Sequence, residues 1–209
     1  MLRSLNVFFA ALLLTAASAT AGLIQPVSQE LFIENENERV DAVGFGDFVD
    51  SIEGANQTSE FTSNSIVTEG RVFTNDNIRD TESSLDYTFN IATDFDYSLV
   101  GGLRGTFSTA NARAQLTFER ISPNPATINF IETVGFGPPG PSPDFDFSGN
   151  LEPGQYRIYA NVTGFNGDPV GGASDGFFRF NFDVVPEPAT GILLLAFGTC
   201  CIRRRRTHA

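Results

Sequence analysis

The chain has 209 residues and a formal net charge of −12, with 25 acidic side chains against 13 basic ones, all of them arginine. Between Gly22 and Pro188, 8 arginines face all 25 acids, a balance of −17 that repels nucleic acid and anionic lipid and favours a well-hydrated surface. The same stretch has no Cys, His, Lys, Trp or Met, which excludes thiolate, imidazole and Schiff-base chemistry, disulfides and His-rich metal sites.

In chain order, the first element is a leader. Arg3, an apolar run from Val7 to Ala17 and the small residues Ala19 and Ala21 form the three-part pattern of a secretory signal peptide, cut after Ala21 to leave Gly22 first. Residues 1–21 are thus expected to be removed, and residues 22–185 to form one exported domain. An exported domain without disulfides must rely on its core, and 18 phenylalanines are available for it, each able to bury about 150 to 250 Å².

The stretch QELFIENENERVDA, residues 29–42, is the one place with helix-forming composition; it reads as a helix or as a solvated arm. From there on the pattern is period two, the mark of strands with one buried face. Signals are modest around Val40 to Val49 and Ile66 to Phe73. They strengthen in SLDYTFNIAT, where Leu85, Tyr87, Phe89 and Ile91 turn inward. DFDYSLVGGL, RAQLTFERI, ATINFIETV and DFDFSGNL follow. Then come GQYRIYANVT, with Tyr156, Ile158, Ala160 and Val162 inward, and FFRFNFDVV, with Phe178, Phe180, Phe182 and Val184 inward. Gly, Pro, Asn and Asp clusters separate them, and Pro153-Gly154 makes a tight turn that sends Tyr156 into the next strand. About ten short strands predict an all-β antiparallel β-sandwich or jelly roll.

Acidic residues supply the candidate sites within the domain. Asp94 with Asp96 and Asp144 with Asp146 each flank a Phe at strand spacing, which puts the carboxylates in solvent and the ring in the core. The loop holding Asp76, Asp80 and Glu82 is the candidate for Ca²⁺, an ion that takes six to eight oxygen ligands, though it lacks the glycine and spacing of an EF-hand. No other cofactor is indicated. Two carboxylates could also act as acid and base of a glycosidase, but with this many acids a pair always exists. The sequons at Asn56 and Asn161 read as chance occurrences.

The tail differs in kind. After Pro186, Glu187 and Pro188 come 14 uncharged residues, Ala189 to Ile202, and then Arg203, Arg204, Arg205 and Arg206. As a helix the apolar part reaches about 21 Å, a short membrane span that snorkelling arginines extend. The positive-inside rule keeps those arginines cytoplasmic and the acidic domain outside.

Pro-Glu-Pro, a short apolar helix and a terminal arginine cluster, in that order, resemble the PEP-CTERM sorting signal of Gram-negative bacteria. The resemblance covers about the last 26 residues. It implies recognition of Pro186, Glu187 and Pro188 by an exosortase, a membrane protease that would cut nearby, and an association with exopolysaccharide, biofilm and the cell surface. Cys200 and Cys201 inside the apolar segment and the three residues after the arginines depart from the plainest form of the signal. The body is loosely similar to pre-peptidase C-terminal β-sandwich domains, on the strength of its Phe- and Gly-rich strands and the LEPGQY turn.

These readings predict a non-enzymatic, exported cell-surface or extracellular-matrix protein of structural or adhesive type, with an exosortase and exopolysaccharide as partners and the membrane engaged only before processing. A carbohydrate-binding module, with or without calcium, is the alternative, and a two-carboxylate glycoside hydrolase is the third.

Overall fold

The computed structural model describes residues 23–105, 111–134, 144–166 and 172–185. The leader with Ala19, Ala21 and Gly22, and the tail with Pro186, Glu187, Pro188 and Arg203 to Arg206, lie outside the described residues. Among the described residues no helix is long and apolar enough to cross a membrane.

The described residues form twelve strands: β1 (Gln25–Asn35), β2 (Arg39–Asp41), β3 (Phe48–Ile52), β4 (Ala55–Phe61), β5 (Ser65–Thr74), β6 (Asp80–Ile91), β7 (Phe95–Gly105), β8 (Asn111–Ser122), β9 (Ala126–Val134), β10 (Asp144–Leu151), β11 (Gly154–Phe165) and β12 (Ser174–Val185). The first sheet has the order β2-β1-β6-β11-β8-β9 and the second β10-β7-β12-β5-β4-β3. Every pairing is antiparallel. From β5 onward the pairs nest: β5 with β12, β6 with β11, β7 with β10 and β8 with β9. One long hairpin rolled so that successive pairs fall in alternate sheets is a jelly roll, and β1 to β4 widen its two sheets at one side.

The period-two residues meet between the sheets. Leu85, Tyr87, Phe89 and Ile91 of β6, Tyr156, Ile158, Ala160 and Val162 of β11, and Phe178, Phe180, Phe182 and Val184 of β12 are all buried. Phe182 sits at the centre of an aromatic cluster, with ring centroids 5.3 Å from Phe118, 5.5 Å from Phe89 and 6.1 Å from Tyr97. Burying such a ring stabilises by about 1.5 to 3 kcal/mol, and the edge and tilted geometries add to that.

The LEPGQY turn is fixed by its own residues. The Tyr156 hydroxyl donates to the Glu152 carbonyl at 2.7 Å, the logic of a tyrosine corner, in which a buried ring holds the chain just upstream. Arg120 adds donations to the Pro153 carbonyl at 2.9 Å and the Glu152 carboxylate at 2.7 Å.

Two segments depart from the sequence-based expectation. Residues 29–42 form neither helix nor arm: β1 pairs along β6, with Leu31 opposite Leu85 and Ile33 opposite Ser83, both buried. The ladder and burial of alternate side chains outweigh a helix propensity worth tenths of a kcal/mol per residue. The second is β4, ANQTSEF, which lacks an apolar alternation because two of its inward residues are Gln57 and Ser59. A hydrogen-bonded network replaces hydrophobicity there. Ser59 and Thr68 hydroxyls meet at 2.6 Å. With its amide nitrogen turned toward the first sheet, Gln57 donates to the carbonyls of Phe32 at 3.2 Å and Ser84 at 3.1 Å, and its oxygen accepts from Ser59. A buried amide with its bonds made stitches the sheets together; unsatisfied, it would cost about 1 to 3 kcal/mol.

Burial also sets a pH limit. It pushes the Tyr87 hydroxyl up to about 12 and raises those of Tyr97 and Tyr156, whereas tyrosine in the unfolded chain ionises near about 10. A pKa raised on folding gives stability that is fully present below the unfolded value and lost as pH rises through the folded one. Urea midpoints should therefore hold up to about pH 10 and fall between about 10 and 12. A midpoint unchanged across that window would contradict the burial of these hydroxyls.

Candidate functional site

A broad concavity lies on the outer face of the second sheet. Register across the sheet puts Asp144, Gly102, Arg179, Glu69 and Thr58 in one row, and Asp146, Val100, Asn181, Val67 and Glu60 in the next. Five strands at about 4.8 Å spacing make each row about 19 Å long, with the rows about 7 Å apart along the strands. All of them except the buried Gly102 line an open groove of about 790 Å³.

Gly101 lines the groove and is required by close packing: a Cβ there would lie 2.2 Å from the Arg179 carbonyl oxygen and 2.8 Å from Phe180 Cα. Val67 and Val100 are 45% and 43% exposed, apolar residues on the solvent side of strands whose other alternate positions face the core. Arg179 reaches from β12 toward Asp144, 4.0 Å away, and its guanidinium lies 5.6 Å from the Phe177 ring. Asn181 donates to Asp183 at 2.7 Å. Among the described residues no ion-pair partner falls to Glu60, Glu69 or Asp146. The groove thus offers an apolar patch, an amide, a guanidinium and a rim of carboxylates to whatever lies along it.

The outer face of the first sheet is arranged differently, because its charges are taken up internally. Arg157 binds Asp86 through Nε at 2.8 Å and also meets Glu119 at 3.2 Å; the bond to Asp86 raises its pKa, with Glu119 adding. Arg39 holds Asp41 at 2.8 Å and Glu34 at 3.1 Å and lies 3.8 Å over the Phe32 ring.

The calcium candidates do not converge. Asp76 is exposed in the β5–β6 turn, whose backbone is organised by Asn75: its Oδ1 accepts from Asn77 N at 2.8 Å and Ile78 N at 3.0 Å. Asp80 and Glu82 line a separate hollow of about 370 Å³ with Glu34 and Glu36. Glu82 is raised above the ordinary carboxylate range by burial, opposed by the hydrogen bond from Asn161 and assisted by Glu34 directly across the ladder. Among the described residues no group of three or more His, Cys, Asp or Glu is placed to hold a metal ion. Asn161 is itself buried, and Asn56 lies exposed on β4.

Asp144 and Asp146 are exposed and Phe145 is buried between them, as strand spacing requires; their place on the groove rim is what spacing alone misses. The available signals were the outward Val67 and Val100 and the Gly101-Gly102 pair within β7, since glycine inside a strand often marks close backbone approach or a ligand.

No protein-family model matches the chain, and no curated protein does. Among solved structures, a carbohydrate-binding module, TmCBM61 in complex with beta-1,4-galactotriose, is similar at 10% identity and a TM-score of 0.35, over 74% of this chain and 87% of that one. The adhesin domain of Epf from Streptococcus pyogenes is similar at 10% identity and a TM-score of 0.32, over 79% of this chain and 64% of that one. The enzymatically active domain of tailspike protein 4 from Bacteriophage CBA120 follows at 11% identity and a TM-score of 0.30, where this chain spans 75% of its own length and 19% of the other.

Proposed function

We propose that this is an exported surface protein of adhesive type whose second-sheet groove holds a stretch of linear polysaccharide. The carrying observation is the groove itself. It crosses five strands, is open along its length, and combines the apolar Val67 and Val100 with the hydrogen-bonding Thr58, Asn181 and Arg179. Enclosed pockets grip whole small molecules, burying most of their surface; an open trough suits a chain that runs past both ends. Hydroxyl-rich rings meet polar side chains at their edges and apolar ones at their faces, so the mixture matches the ligand class.

Export and sorting rest on the two ends of the sequence. The leader through Ala21 directs secretion, and Pro186, Glu187 and Pro188 with the arginine cluster direct the protein to an exosortase at the membrane before release or anchoring. Intact-mass measurement of the protein from its host should find neither residues 1–21 nor Arg203 to Arg206; full-length tail in the mature population would contradict this.

Binding is tested with soluble polysaccharides in affinity gels, with and without chelator. Retardation by at least one polymer without its cleavage is expected. Cleavage would favour a hydrolase, and retardation lost with chelator would restore calcium to the account.

A further inference from the structure

The charge of the groove narrows its ligand. Four carboxylates, Glu60, Glu69, Asp144 and Asp146, line it against a single guanidinium, Arg179. Arg179 stands in the same row as Asp144 and Glu69 and approaches Asp144. The neighbouring row has no cation: it begins at Asp146, crosses Val100, Asn181 and Val67, and ends at Glu60. Its carboxylates therefore stand at both ends of an uncharged floor about 19 Å long, with no ion-pair partner among the described residues.

A polysaccharide of uronic acids or sulfated sugars laid there would bring like charges together, a cost that such sites use to reject wrong partners. A neutral chain would meet both carboxylates with hydroxyl hydrogen bonds alone and leave their charge uncompensated. A chain with protonated amines would meet Asp146 at one end and Glu60 at the other while its rings rest on the two valines. We infer that the groove selects an amine-bearing polysaccharide, a polymer of amino sugars with free amino groups. This rests on the reading of the groove as a polysaccharide site and adds the charge of the ligand.

The test compares short β-1,4-linked glucosamine oligomers with their fully N-acetylated counterparts of equal length, by calorimetry at mildly acidic pH, where sugar amines are protonated and most carboxylates ionised. The amine form should bind about tenfold more tightly, and the difference should shrink as salt screens the rim. Glu60→Gln combined with Asp146→Asn lies on exposed outward positions, so folding is retained; the variant should bring the two affinities within about twofold. Equal or tighter binding of the acetylated oligomer by the unaltered protein, or a preference that survives the double substitution, would overturn the inference while leaving polysaccharide binding intact. An oligolysine bound more tightly than either sugar would overturn it in favour of a basic peptide. Failure to bind any saccharide would remove both readings.

Discussion

Phe182→Ala is expected to destabilise the protein by about 3 to 5 kcal/mol, the cost of deleting a fully buried ring from a core that cannot close around the gap. The site cannot collapse easily because its neighbours are held from both sheets: Phe118 on β8 and Phe89 on β6 from the first, Tyr97 on β7 from the second. Each is on a strand paired on both sides, so the walls of the cavity are ladders that do not shift without breaking hydrogen bonds. A domain of ordinary stability has only about 5 to 15 kcal/mol in total, and with no disulfide in the body to limit the unfolded chain, much of the margin is lost. Denaturant unfolding checks this, with Phe130→Ala as the control. That ring is more than half exposed, and its loss should fall within about 0.5 kcal/mol. Equal effects at the two positions would mean that the cluster around Phe182 does not carry the fold.

Gly101→Ala should cost up to about 3 kcal/mol, at the upper end of the usual range for overpacking, and should also damage the groove. Backbone freedom is not the reason, since this glycine does not have a positive φ. The added methyl would press on the Arg179 carbonyl oxygen and Phe180 Cα, which are backbone atoms of the adjoining strand, as well as on the Phe145 ring. A ring can swing aside; a paired strand can only move away as a unit. Separation of β7 from β12 would displace Val100 and Gly102 from Arg179 and Asn181, whose register forms the trough. Gly149→Ala is the matched comparison, because the atoms nearest its new methyl belong to the Tyr97 side chain, and a smaller loss is expected. Unfolding free energies and polysaccharide affinity of the two variants decide it; an undamaged Gly101→Ala would contradict the packed strand spacing.

How far the sequence reveals this architecture depends on what each strand buries. β6, β11 and β12 were legible because aromatic and aliphatic residues alternate without interruption, and the inward sets read from period two are the buried ones. β1 was obscured by Glu and Asn residues that populate its solvent side, so that its composition resembled a helix while Leu31 and Ile33 alone carried the strand signal. β4 was invisible for the opposite reason: its inward positions hold Gln57 and Ser59, whose burial is supported by partners on β5, β6 and β1 that are distant in sequence. The groove was beyond local reading for the same cause. Its residues come from five strands, and Asp146, Asn181, Val67 and Glu60 fall into one row only once the strand pairing sets the register. Asp76, Asp80 and Glu82 show the reverse: closeness in sequence does not bring all three together, because Asp76 stays in the turn while Asp80 and Glu82 line the hollow beside Glu34.

The central claim is that the outer face of the second sheet binds polysaccharide, and blocking that trough tests it most directly. Asn181 lies exposed in the middle of the groove, so Asn181→Trp fills it with a residue that strands accept readily. Affinity for the polymer that retards the unaltered protein should fall at least about tenfold, with the thermal midpoint unchanged. Undiminished affinity in the folded Asn181→Trp variant would contradict the account.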